Sequence, residues 1–205
     1  MRNVLVVIGL GALVIIAGAS YAFNHPFTKE LNTEGVTNSS TTTTMANGMT
    51  LMSSVFAEGA SIPSKYTCEG DQVNPPLSIA GVPANAKSLT LIMDDPDIPQ
   101  VVKEKMHVDV FDHWVLFNIP ATTTEIAMGM TVGTPGLNGA GKPMYTGPCP
   151  PKEYEPSEHR YFFKLYALDI ELSLKEGASK ADVEKAMQGH IVAETQLIGK
   201  YKKVK

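Results

Sequence analysis

The sequence predicts an all-β domain, and three observations carry that prediction. From about Thr50 onward, short apolar runs alternate with clusters of Pro, Gly, Asn and Asp. In the best of these runs a two-residue alternation gives two faces, both mostly apolar. No succession of strand, helix and strand points to a parallel sheet.

The elements follow in order. "SLTLIMD" (88–94) is an aliphatic run ending at turn-forming residues. In "HWVLFNIP" (113–120), strict alternation puts His113, Val115, Phe117 and Ile119 on one face and Trp114, Leu116 and Asn118 on the other. Two apolar faces suit a central strand of a sandwich or barrel better than a sheet with one wet side. "RYFFKLYALD" (160–169) is the third such run. One helix is expected after it: Ser179 caps, with Asp182 three residues on, Val183, Ala186 and Met187 form a stripe, and Gly189 ends it. "IVAETQLIGKY" then forms a last strand.

Ahead of the domain, residues 1–23 ("MRNVLVVIGLGALVIIAGASYAF") carry Arg2 and no further charge until Lys29. Such a run is long enough to span a bilayer as an apolar helix, while Ala17-Gly18-Ala19 fits a cleavage site. The segment is therefore a transmembrane anchor or a signal peptide, and both place the remainder outside: on the cell membrane facing out, or secreted or periplasmic. Residues 24–48, rich in Thr, Ser, Asn and Gly, read as a flexible stalk, which leaves 49–205 as the domain.

The chain has 205 residues, 43% of them hydrophobic, enough for a normal core. Its 17 basic and 21 acidic residues give a net charge of −4, and the basic residues cluster only in the terminal "KYKKVK". Nucleic acid is excluded as a partner on that balance.

Three polar clusters end or begin the apolar runs: Asp94-Asp95-Pro96-Asp97-Ile98-Pro99, His113, and His159-Arg160-Tyr161. If the three strands are neighbours, these groups meet at one rim. An Asp and two His can ligate zinc or iron, but no close-spaced ligand pair is present and no metal is expected. A hydrolase would use Cys149 as nucleophile with His159 as base, or a carboxylate and an imidazole as acid and base; no Gly-x-Ser-x-Gly elbow occurs. An anion pocket would use the imidazoles, the Tyr161 hydroxyl and backbone N–H groups of the Gly147 loop, which the prolines of "YTGPCPP" stiffen. The structural alternatives are turn closure by Asp95 or Asp97, a satisfied buried His113, a salt bridge at Arg160, and core packing for Trp114 and the Tyr/Phe stripe.

"DDPDIP", "HWVLFNIP", "YTGPCPP" and "EHRYFFKLYALD" together resemble the phosphatidylethanolamine-binding protein family, or Raf kinase inhibitor-like proteins, in its bacterial and archaeal branch. "IPSKYTCEGDQVNPPLSIAGVP" and "GHIVAETQLIGKY" extend the resemblance over about residues 49–201. It implies an antiparallel Greek-key β-sandwich with few helices and a small anion pocket at one end. By position, the resemblance makes Asp95, His113, Gly147, Cys149, His159 and Tyr161 the pocket, with Asp97, Pro99 and Arg160 as support. It further implies a ligand such as phosphate, a phospholipid head group or a small carboxylate, bound without catalysis, cofactor or metal. A protease or kinase partner, engaged through a protein-binding surface, is the alternative, and a hydrolase using His159 the second; the membrane is met through the N-terminal segment.

Two departures limit the likeness. "KEYEPSE" (152–158) lengthens the loop before His159 and adds Glu153, Glu155 and Glu158, each of which would oppose an anion by about 1 kcal/mol in water if it faced inward. Few residues follow Tyr201, so the C-terminal helix that shapes the pocket mouth in animal members is not expected, and their lipid specificity and kinase partners are not carried over. Within this picture the only two cysteines, Cys68 and Cys149, are expected to form a disulfide that pins the loop beside His159; the alternative is two separate buried thiols.

Overall fold

Ser88–Asp95 is buried at all eight of its positions, and a strand is buried so completely only when both faces of its sheet are covered. The computed structural model, which describes residues 48–204, shows how that happens. The expected anchor or signal peptide and the expected stalk up to residue 47 lie outside the described residues.

The strands are β1 (Thr50–Met52), β2 (Leu77–Ala80), β3 (Ser88–Asp95), β4 (Phe111–Pro120), β5 (Glu125–Ile126), β6 (Thr134–Pro135), β7 (Glu158–Leu168) and β8 (Ile191–Lys202). They form a three-stranded sheet, β1-β2-β5, and a five-stranded sheet, β6-β4-β3-β7-β8, and every pairing is antiparallel. The three strongest apolar runs of the sequence thus become neighbours, with β3 in the centre.

The inner face of the large sheet meets the small one. Leu51, Leu77, Ile79 and Ile126 from the small sheet share a core with Leu91, Met93, Trp114, Leu116, Tyr161, Phe163 and Leu165. The outer face has its own apolar cluster, Ile92, Val115, Phe117, Leu168 and Leu172, covered by Val183 and Met187 of a helix, Lys180–Met187. Two apolar faces on β4 are therefore explained by a sheet above and a helix below.

That helix is the one the capping pattern predicts: the Asp182 N–H donates to the Ser179 hydroxyl at 3.2 Å, and Gly189 turns the chain away with φ +81. Numbered in chain order it is α2, because a second helix precedes it. Only one was expected. The additional helix, α1 (Gln100–Met106), starts from the Pro99 carbonyl, which accepts from the Val102 and Lys103 N–H groups, and ends at His107 with φ 56. It buries none of its residues, so it leaves no apolar stripe to be read.

The faces of β4 also differ from strict alternation, because two register shifts interrupt its pairing with β3. Leu89 pairs with Ile119 but Leu91 with Leu116, so β4 carries one extra residue there; Asn118 has φ 51. Ile119 consequently joins Trp114 and Leu116 in the inner core instead of Val115 and Phe117. Asn118 exchanges two hydrogen bonds with the Leu172 backbone, Nδ2 to O at 2.9 Å and N to Oδ1 at 2.7 Å, and so ties down the segment that covers the outer face.

Candidate ligand-binding site

The second register shift builds the site. Met93 pairs with Trp114 while Asp94 pairs with Asp112, which leaves His113 as the extra residue of a bulge. A bulge re-aims the side chain it carries. His113, expected opposite Trp114, turns to the same side: its ring meets the Tyr161 ring edge-on at 5.1 Å, and Tyr161 and Trp114 belong to one core.

Asp95 reaches this side by the alternation of β3, and the Asp-Pro-Asp turn holds its carboxylate: the Asp97 N–H donates to Oδ1 at 2.8 Å. His159, at the start of β7, places Nδ1 2.7 Å from Asp95 Oδ2. Asp97 clamps the same turn onto β7 by accepting from the Arg160 N–H (2.9 Å), Nε (2.8 Å) and Nη2 (2.7 Å). The Arg160 side chain, against the opposing pull of partial burial, keeps the Asp97 carboxyl below the usual carboxylate range. Asp97 and Arg160 thus hold each other across the turn and β7. Pro99 acts further out, through α1.

His113 is oriented from the other side. Its Nδ1 lies 2.8 Å from the Thr146 carbonyl, which can only accept, so Nδ1 carries the proton and Nε2 is the atom left facing Asp95 Oδ2 at 3.9 Å. Burial pushes the His113 imidazole below its ordinary value, outweighing Thr146, Asp95 and Asp112. Tyr161 is fully buried, and burial first, then Asp95, Tyr145 and Asp97, outweigh the nearby Cys149 backbone N–H and raise its hydroxyl far above the phenol range, so it remains protonated.

Among the described residues, three buried side-chain polar atoms lack a hydrogen-bond partner: Thr90 Oγ1, His159 Nε2 and Tyr161 OH. Two of the three are here, beside Asp95 and His113, which are 2% and 5% exposed. Buried polar atoms are normally paired, so two orphans on stacked rings whose centroids lie 6.4 Å apart mark a region where a ligand or water can complete them. No three His, Cys, Asp or Glu side chains among the described residues are grouped as metal ligands.

The wall is the 144–151 loop. Cys149 is bridged to Cys68 across 81 residues, the Cys68 N–H donates to the Pro148 carbonyl at 3.1 Å, and the Tyr145 hydroxyl donates to the Tyr66 carbonyl at 2.8 Å. With its sulfur in the bridge, Cys149 has no thiolate to offer as a nucleophile. Gly147 is needed for close approach, since a Cβ there would lie 2.8 Å from the Tyr66 carbonyl oxygen. The acidic residues of the 152–158 loop do not turn inward: Glu153, Glu155 and Glu158 are exposed, and the Glu155 carboxylate accepts from the Ser157 N–H.

Sequence reasoning missed three contributors. Thr146 fixes the His113 tautomer through its carbonyl, which no side-chain pattern announces. Asn138 organises the loop that carries it, donating to the Met144 carbonyl and Thr146 Oγ1 and accepting from the Ala140 and Lys142 N–H groups; the "NGAGK" turn was its visible signal. Phe111 packs on His113 at 4.9 Å and could have been found from its two-residue spacing.

The comparisons with known proteins agree with the fold. The family model described as phosphatidylethanolamine-binding protein matches residues 52–202. A UPF0098 protein of Methanothermobacter thermautotrophicus is 45% identical over 162 residues, 76% of this chain and 99% of its own, and one of Chlamydia pneumoniae is 42% identical over 156 residues, again 76% and 99%. Among solved structures, a phosphatidylethanolamine-binding protein homologue of Chlamydia trachomatis superposes with a TM-score of 0.72 at 42% identity, covering 78% of this chain and 100% of that one. YbcL of E. coli, described as a member of the mammalian PEBP family, gives 0.66 at 26% identity, covering 76% and 99%.

Proposed function

Because the chain belongs to the phosphatidylethanolamine-binding protein family, we propose that the cluster of Asp95, His113, His159 and Tyr161 binds a small oxyanion, phosphate or the phosphate of a head group, without turning it over. The observation that carries this reading is the pair of buried, unpartnered polar atoms, His159 Nε2 and Tyr161 OH. The disulfide at the wall holds the 144–151 loop in place before the ligand arrives, which lowers the ordering entropy lost on binding.

The domain acts outside the cell, tethered by or released from the apolar segment at 1–23. Two features support this: the length of that segment, and a disulfide of a kind that persists in oxidising compartments. Calorimetric titration of the full-length protein in a mild detergent with phosphate and O-phosphoethanolamine tests the reading. Saturable binding lost in His159→Ala is expected. Hydrolysis of a phosphomonoester that disappears in the same variant would replace binding by catalysis.

A further inference from the structure

The side-chain hydrogen-bond inventory of the cluster is lopsided for a site that receives an anion. His113 Nδ1 gives its proton to the Thr146 carbonyl and His159 Nδ1 gives its proton to the Asp95 carboxylate. In the neutral imidazoles both Nε2 atoms are then lone pairs. Asp95 adds a carboxylate, and the Tyr161 hydroxyl supplies the one side-chain proton not already engaged. Whatever the backbone N–H groups of the 144–151 loop give a ligand, a fully ionised oxyanion such as the dianion of a phosphomonoester sets its lone pairs against the two Nε2 atoms and the carboxylate, and lone pairs facing one another in a buried site repel.

We propose, building on the anion-binding reading above, that this cluster takes up its oxyanion together with a proton, which is held between a ligand oxygen and an imidazole Nε2. The proton arrives either on the ligand, as the monoanion of a phosphomonoester, or on His113 or His159. In both cases the bound state holds at least one more proton than the free neutral pocket and the fully ionised ligand. The site therefore selects protonated oxyacids, and its affinity falls as pH rises.

The surroundings of the two imidazoles support one added proton. Asp95 from β3 faces both of them, and Asp112 from β4 acts on His113. Asp97 from the turn acts on His159 but is already matched by Arg160. Tyr161 from β7 packs on both rings, and Tyr201 of β8 pairs across from His159. Each imidazole also opposes a charge on the other. The carboxylates favour the first proton, and the first proton then disfavours a second.

The test is calorimetric titration of the full-length protein in detergent with methyl phosphate, a monoester whose dianion carries no proton, from pH 5.5 to 8.5, in paired buffers of different ionisation enthalpy, which count the protons taken up. Uptake of about one proton at pH 8, with affinity falling about tenfold per pH unit above neutrality, is expected. Sulfate, which carries no proton in this range, locates the proton. Sulfate binding with uptake places it on an imidazole, and sulfate silent while methyl phosphate binds with uptake places it on the ligand; both support the proposal. His113→Gln, whose amide donates without titrating, should flatten the profile, and the wild-type measurement decides the question without it. Saturable methyl phosphate binding with no proton uptake and constant affinity from pH 6 to 8.5 overturns the proposal and leaves the anion-binding reading standing. No binding at any pH overturns both.

Discussion

Asp94 and Asp95 are adjacent in the chain, equally buried, and face opposite sides of the same sheet. On the outer side Asp94 meets Lys164 Nζ at 2.8 Å and Lys180 Nζ at 3.5 Å, and Lys180 also reaches Asp112 at 2.8 Å and Glu184 at 3.9 Å. Burial works against the Lys180 ammonium, but Asp112, Asp94 and Glu184 outweigh it and raise its pKa above the ordinary value. Every charge there has its partner in the protein. On the inner side Asp95 orders His159, and beyond it the protein's own partners run out at Nε2 and at the Tyr161 hydroxyl. A buried polar cluster is structural when the chain completes it and a candidate site when it does not.

The largest effect expected is at the inner wall. Replacing Cys68 and Cys149 by serine releases an 81-residue closure and should cost about 4 kcal/mol in chemical denaturation, with weaker phosphate binding because the 144–151 loop is freed. Unchanged binding would show that the wall holds its shape without the bridge.

On the outer side, Asp94→Ala leaves partly buried lysines without their shared partner and should cost about 2–4 kcal/mol, measured by thermal or urea unfolding. Its phosphate affinity should stay at the wild-type value; a loss would mean that the two faces are coupled.

His159→Ala reverses that outcome. Loss of one hydrogen bond to a charged group should weaken phosphate about 10–100-fold, with a smaller fall in stability than Asp94→Ala, by calorimetry and melting on the same sample.

The pH dependence of the ligand-free protein comes next. Because burial depresses His113, the unfolded chain takes up a proton that the folded one resists. The stability it contributes is complete above about 6.5, the ordinary histidine value, and is lost as pH falls from there. Melting temperatures between pH 8 and 5 should therefore decline, less so in His113→Gln, and added phosphate should oppose the decline.

The smallest effect is at Arg160, half-exposed at 53%. Arg160→Ala should cost only about 0.5–1 kcal/mol, since the Arg160 N–H still binds Asp97. A cost several times larger would make the clamp part of the site.

Read alone, the sequence determined the strands at 88–95, 158–168 and 191–202 closely, because each is long and its apolar pattern is local. It determined the capped helix after Ser179 for the same reason, and through its motifs it named Asp95, His113, His159 and Tyr161 as candidates, together with the bridged cysteines. It did not show α1, which buries nothing, or the short strands β1, β5 and β6, of two or three residues each, too short to establish a period. Only the tertiary structure decided which way His113 faces. That direction depends on a bulge in the pairing of β3 with β4, and register is a property of two strands brought together, which neither strand's own pattern contains. The same holds for the contrast between Asp94 and Asp95: alternation separates them, but whether a carboxylate finds its partners depends on Lys164 and Lys180, distant in the chain and adjacent only after folding.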